Sequence, residues 1–280
     1  MTRDPAFDPP VALASLSGQS DAEWAATAAE YAGVAFLGGI AIDEPTRAAA
    51  RELVERDRTE FLPADPVAFV DDQFGQTADL PIRPGVNVRT TTLSPLAEVA
   101  EVCRDHDAIL EINAHCRQDE ICGAGSGEAL LTDTERLCEQ VSAASERGPE
   151  VSVKVRAEVP GVDLPAVAER VAEAGATYIH LDAMDSEAVV GDVAAATDLS
   201  IIANNEVRGR DSVFEYLSHG AAAVSVGRPS DDRRVLSRVR EAATDWFERD
   251  AQPTTNYGST ETPIDGMTPT DSTRTTGGGE

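Results

Sequence analysis

The stretch VSVKVRAEVPGVDLPAVAERVAEAGATYIHL, residues 151–181, holds one complete strand–helix–strand unit. VSVKVR (151–156) and TYIHL (177–181) are short β-branched runs of strand type. Between them, DLPAVAERVAEA (163–174) opens with Asp163 as N-cap, carries Pro165 in its first turn and stops at Gly175. Near-continuous apolar strands separated by a helix predict a parallel sheet covered by helices.

The same alternation extends in both directions. Strands are expected at 11–16, 34–39, 86–89, 108–113, 151–156, 177–181, 200–204 and 222–227. Helices are expected at 21–32, 44–57, 95–105, 133–147, 163–174, 187–196, 210–219 and 231–246. Eight such units predict a (β/α)8 TIM barrel of the α/β class. A doubly wound sheet is the rival, but no GxGxxG follows the first strand. Two pieces break the pattern. Residues 58–85 read as an insertion with a short strand or helix near 66–71. Residues 248–280 are rich in Thr, Ser, Gly, Pro and Asp, and read as a disordered, acidic, low-complexity tail. The expected organisation is therefore a catalytic barrel over 1–247 and a tail over 248–280.

Fifty acidic residues face 23 basic ones, a formal charge of −27. Such a balance, with almost no lysine, is expected of a halophilic cytoplasm, where at about 1 M salt the screening length falls to roughly 3 Å. It argues against non-specific binding to nucleic acid. No apolar run is long enough for a membrane span, and the opening MTRDPAFDPP lacks signal-peptide features. A soluble, cytoplasmic protein with no membrane partner is expected. Cys103, Cys116, Cys122 and Cys138 then read as thiols, with no spacing that completes a metal quartet.

In a barrel, function sits at the C-terminal strand ends. The polar residues there are Ser15 and Gly18; Arg89; Asn113, His115 and Cys116; Lys154 and Arg156; His180 and Asp182; Asn204, Asn205 and Glu206; Gly227 and Arg228. Lys154 is the only lysine in the chain. It lies two residues from Arg156, so both take one face of the strand while Val153 and Val155 take the other. A lysine aimed into the barrel mouth is costly unless something anionic meets it. It could form an internal ion pair with a carboxylate such as Glu111. It could equally form a Schiff base, contact a phosphate or neutralise charge on a bound ring. The segments ANNE (203–206) and SVGRPS (225–230) stand at the usual barrel position for a phosphate. Cys116 lies just past a strand end beside His115 and Arg117, whereas Cys103 and Cys138 fall inside helical patterns.

Several of these motifs, taken in order, resemble the tRNA-dihydrouridine synthase family of FMN-binding barrels. LASLSGQSD (13–21) is similar to its opening strand and loop. EINAHCRQ with GAGSGEALL, within 111–131, resembles D-x-N-x-G-C-P followed by G-x-G-x-x-L-L. VSVKVR, His180, ANNEV and VGRP resemble the later motifs. The resemblance implies FMN held by Ser15, Arg89, Lys154, His180, Asn204, Gly227 and Arg228. Lys154 would lie against the N1–C2 edge, and Asn113 and Cys116 would face the substrate with Cys116 as the acid. His115, Arg117, Arg156 and Asp182 are the expected substrate contacts.

The chain departs from the pattern where Gly-Cys-Pro is His115-Cys116-Arg117 and where Leu181-Asp182 replaces Gly-Arg. Ser15 and Leu16 replace a proline and a methionine, and Arg89 stands for a glutamine. No basic surface or C-terminal helical domain for tRNA is evident in the sequence. The expectation is an FMN-dependent oxidoreductase passing hydride between flavin N5 and a small unsaturated ring, a pyrimidine or another phosphorylated compound, with tRNA disfavoured as a partner. The alternatives are a genuine tRNA-dihydrouridine synthase, a non-flavin barrel using Lys154 as Schiff-base or clamp residue on a phosphorylated substrate, and a barrel that binds without catalysis.

Overall fold

The computed structural model describes residues 3–250. Eight parallel strands close into a barrel in sequence order. They are β1 (Val11–Leu13), β2 (Val34–Ala41), β3 (Arg83–Arg89), β4 (Ile109–Asn113), β5 (Val151–Arg156), β6 (Tyr178–Asp182), β7 (Ser200–Asn204) and β8 (Ala223–Val226). The helices are α1 (Ala22–Ala28), α2 (Glu44–Glu55), α3 (Pro66–Thr77), α4 (Leu93–Asp105), α5 (Asp119–Gly123), α6 (Ala129–Thr132), α7 (Thr134–Ser145), α8 (Leu164–Glu173), α9 (Val189–Ala196), α10 (Arg210–Ser218) and α11 (Arg233–Asp250). A 3-10 turn spans Arg228–Asp231.

The TIM barrel expected from the alternation is the observed fold. α8 shows how local sequence makes it. The Asp163 carboxylate accepts the Ala166 N–H at 3.3 Å, and Leu164, Val167, Ala168 and Val171 form one buried stripe. Those side chains meet Val153 and Val155, which point outward from β5, in the main core between strands and helices. Burying each larger aliphatic side chain contributes about 1.5–3 kcal/mol.

A smaller core fills the lower barrel. Ala12, Val34, Phe36, Ile109, Tyr178, Ile202 and Ala223 pack there, with Ala6 and Phe7 of the N-terminal segment beneath them. Gly85 makes room for this layer: a Cβ at that position would sit 2.8 Å from the Phe36 ring. The barrel interior is filled at this end and opens at the other.

The region 44–85 differs from the sequence expectation. The ring helix after β2 is α3, packed between α1 and α4, while α2 rests on α5 at the mouth. α3 is a full helix rather than a short element in an insertion. Its buried face is Val70, Gln73, Phe74 and Thr77. Two polar residues in that stripe mask its period, and Gln73 is buried because its Oε1 accepts the Ala22 N–H at 2.8 Å, capping α1. α2 is tied down by Asp43, whose carboxylate accepts from Thr46 and from all three threonines of the run Thr90–Thr92. At the other end, α11 runs to Asp250, past the expected boundary at 247. The rest of the expected tail, 251–280, lies outside the described residues.

Candidate active site

The inward faces of the upper strands carry polar side chains in two layers. The lower layer is a closed hydrogen-bond network. The Glu111 carboxylate accepts from Asn87 Nδ2 (2.8 Å) and Ser152 Oγ (3.1 Å), and it meets His180 Nδ1 (2.7 Å). His180 Nε2 accepts from Ser225 Oγ (2.7 Å), which in turn accepts from Asn204 Nδ2 (2.5 Å). Burial pushes the His180 pKa down despite Glu111, so its imidazole is neutral. Burial pushes Glu111 up, but His180, Lys154 and Asn87 outweigh it and hold the carboxyl below its usual range.

His180 is fully buried with both ring nitrogens engaged. It therefore supports the mouth from below and does not line it, contrary to the expectation that it contacts the cofactor. Asn113 is also a support. Its Oδ1 accepts the N–H groups of His115 (3.2 Å) and Cys116 (2.9 Å), while its Nδ2 donates to Asn87. It shapes the turn that presents Cys116.

Above this layer two confluent cavities open, of about 710 and 520 Å³. Both are lined by Ser15, Leu16, His115, Lys154, Asp182, Asn205 and Arg228. The larger extends over Arg89, Asn113, Cys116, Arg117 and Arg156, and the smaller over Asn204, Ser225 and Gly227. Of the expected site residues, all but His180 come together here.

Lys154 sits at the junction. Its register neighbours are Asn113 on β4 and His180 on β6. Its Nζ donates to Ser15 Oγ at 3.3 Å and forms no ion pair among the described residues. The expected alternative partner, Glu111, is already occupied by Asn87, Ser152 and His180. Burial pushes the Lys154 pKa down, against the pull of Glu111 and Asp182. An anionic group or ring carbonyl entering the cavity would relieve that penalty.

Cys116 is half-buried, packed against the small cluster of Ala49, Leu53 and Ile121 formed by α2 and α5. Gly127 closes over its backbone at φ +64°, and a Cβ there would fall 2.3 Å from the Cys116 carbonyl oxygen. The Glu128 N–H then donates to that oxygen at 2.9 Å. Cys122, its neighbour in sequence, has its thiol pushed up by burial.

Arg89 and Arg156 are less available than expected. Arg89 pairs with Glu60 at 2.7 Å, both side chains 3% exposed, and also donates to Ser17. Arg156 pairs with Glu128 at 2.7 Å. Arg89 thus fastens the loop after β1 to residues 57–61. The sequence reading missed Glu60, Ser17 and Arg58, because no motif links a loop carboxylate to an arginine 29 positions away.

The mouth inverts the charge of the chain. Arg58, Arg89, Arg117, Lys154, Arg156 and Arg228 line the larger cavity against Asp57, Glu60 and Asp182. Arg58, Arg117 and Arg228 are exposed and form no ion pair among the described residues. The sequence shows no basic surface, but the fold gathers basic side chains at the mouth.

A closed eight-stranded barrel, with a lysine and arginines at its open end that form no ion pair among the described residues, defines a TIM-barrel protein with a cationic mouth. The pattern of the dihydrouridine synthase (Dus) family matches residues 59–260, and the chain belongs to that family. It is 26% identical over 152 residues to an uncharacterized protein of Methanocaldococcus jannaschii, covering 54% of this chain and 59% of the other. It is 27% identical over 165 residues to tRNA-dihydrouridine synthase B of Xanthomonas axonopodis pv. citri, covering 53% and 49%. The matches thus span about half the length of these curated relatives. Among solved structures, the tryptophan synthase complex from Pyrococcus furiosus matches with TM-score 0.52 and 13% identity, over 89% of this chain and 97% of that one. That likeness shows the fold alone.

No helix among the described residues is long and apolar enough to cross a membrane.

Proposed function

We propose that the protein is an FMN-dependent oxidoreductase that reduces the C5=C6 bond of a uracil ring carried by tRNA. The observation that carries the reading is Lys154, an ammonium without an ion pair at the junction of two cavities, in a chain of the dihydrouridine synthase family. The residues fit a phosphorylated planar ligand. Lys154 and Ser15 would meet the ring edge, and Asn204, Gly227 and Arg228 line the smaller cavity where a phosphate fits. Bound there, FMN would supply hydride from N5 of its reduced ring.

The chain's own residues do the rest. Lys154 would compensate negative charge on the ligand in a site sheltered from water. Asn113 holds the 114–116 turn so that Cys116 borders the larger cavity. Cys116 would give its thiol proton to C5 as hydride reaches C6, a contribution of typically 10²–10⁴ in rate.

The expectation that disfavoured tRNA has no support. A relative matched over about half its length is a tRNA-dihydrouridine synthase B, and Arg58, Arg117 and Arg228 supply cations at the mouth with no ion pair among the described residues. The non-flavin alternative with Lys154 as a Schiff-base lysine is likewise not favoured by the family match.

The test is to reconstitute the protein with FMN in roughly molar KCl, reduce it with dithionite without air, and add an unmodified tRNA transcript. Nucleoside mass spectrometry should find dihydrouridine at about one per reduced flavin, with the 450 nm band returning. Failure to take up FMN, or flavin reoxidation without dihydrouridine, would sink the reading.

A further inference from the structure

The two sequence departures flanking Cys116 and His180 meet in space. His115 Nε2 lies 2.7 Å from Asp182 Oδ2, so a residue from the loop after β4 is bonded to one at the end of β6. Asp182 is held in turn, its Oδ1 accepting the Met184 N–H at 3.1 Å. Burial pushes the Asp182 carboxyl up, but His115, Met184 and Lys154 outweigh it, so it is an ionised acceptor. The imidazole must then carry its proton on Nε2. Nδ1 is left as a lone-pair nitrogen with no protein partner among the described residues. The ring is 30% exposed and borders both cavities, so Nδ1 is open to solvent entering the mouth.

His115 and Cys116 are held as one unit, because the same Asn113 Oδ1 accepts both backbone N–H groups. Both side chains border the larger cavity. Asp182 and His180 on β6 and Lys154 on β5 act on His115 directly. Cys116 and Arg117 on its own loop, Arg156 on β5 and Arg228 after β8 line the larger cavity with it, and Glu206 and Arg208 line the smaller one. Burial and Lys154 push the His115 pKa down against the pull of Asp182, leaving the imidazole neutral with its Nδ1 lone pair free.

We propose that His115, oriented by Asp182, is the relay through which the thiol proton of Cys116 is exchanged with solvent. When Cys116 gives its proton to a substrate carbon, the sulfur is left as a thiolate. Nδ1 takes a proton from water at the mouth, the hydroxide leaving to bulk solvent. The imidazolium is stabilised by Asp182, and the proton passes to sulfur through water in the cavity that both side chains border. The thiol and the neutral imidazole are both restored, with no net change in either. Asp182 acts as a positioning residue. The substrate step rests on the flavin reading above, whereas the exchange between sulfur and Nδ1 does not.

Two measurements on the full chain test the relay. Long-range proton–nitrogen correlation on histidine-labelled protein should show His115 as the Nε2–H tautomer at neutral pH; an Nδ1–H tautomer overturns the proposal. Iodoacetamide labelling of Cys116, followed by peptide mass spectrometry between about pH 5 and 9, should depend on the imidazole. At pH 7 the wild type should react about fivefold faster than His115→Asn, with an inflection at the His115 titration seen by NMR. Superimposable profiles overturn the relay. If His115→Asn does not fold, alkylating Cys116 in the wild type should raise or lower the His115 titration midpoint; an unmoved midpoint overturns the relay. Both measurements need no flavin. Loss of FMN uptake with intact coupling therefore removes the flavin reading and leaves the relay standing.

Discussion

The barrel interior holds two polar layers only one strand step apart, and they behave in opposite ways. In the lower layer Asn87, Glu111, Ser152, His180 and Ser225 satisfy one another completely. In the upper layer Lys154 bonds Ser15 but forms no ion pair, His115 Nδ1 has no protein partner, and Arg58, Arg117 and Arg228 form no ion pair, all among the described residues. Both layers are rich in titratable groups, so composition does not separate them. Hydrogen-bond saturation does. A closed buried network specifies the fold, whereas polar groups left open on a cavity remain available to water or a ligand.

The largest expected effect breaks the lower layer. Glu111→Ala strands Asn87, Ser152 and the His180 imidazole in the barrel, and should cost about 3 kcal/mol or more in urea denaturation. A change below about 1 kcal/mol would mean that the network is not holding the barrel. In the upper layer, Cys116→Ala should leave the urea midpoint nearly unchanged while lowering turnover on tRNA about 10²-fold. Equal loss of stability and activity would erase the distinction between the layers.

Lys154→Arg comes next. It keeps the charge but replaces a compact ammonium with a planar fork, and turnover should fall at least about tenfold with the fold intact. Unchanged turnover would assign Lys154 a general electrostatic role that any cation can fill.

The smallest effect concerns Asp43, at the edge of the mouth. Burial pushes its carboxyl up, but the hydrogen bonds from Thr46 and Thr91 outweigh this and depress its pKa below the usual 3.8. Its stabilisation is thus full above the unfolded value and is lost as the pH falls through the lower native one. Acid denaturation of Asp43→Asn should therefore show a shallower decline below about pH 4 than the wild type. Parallel curves would show that Asp43 makes no net contribution.

The strands were legible because each is a compact β-branched run between turn residues, and VSVKVR matches β5 residue for residue. The ring helix α3 was not, because Gln73 and Thr77 occupy half its buried stripe. Strand parity identified which residues face inward, but it carries no depth. Lys154 and His180 are register partners, yet the lysine's four-carbon stem rises into the mouth while the short imidazole stays in the layer below. Lys154, Cys116, Asp182 and Arg228 were therefore legible as residues that line the mouth, whereas His180 lies one layer below it. Glu60, Ser17 and Arg58 come from loops that only the closed barrel brings to Arg89 and the mouth.

FMN titration of the wild type and Lys154→Ala, followed by quenching of flavin fluorescence, tests the central claim most directly. The account predicts that the wild type binds one FMN and that Lys154→Ala binds at least about tenfold more weakly, a difference of about 1.4 kcal/mol or more. Equal affinity in the two proteins, or no binding by either, would contradict it.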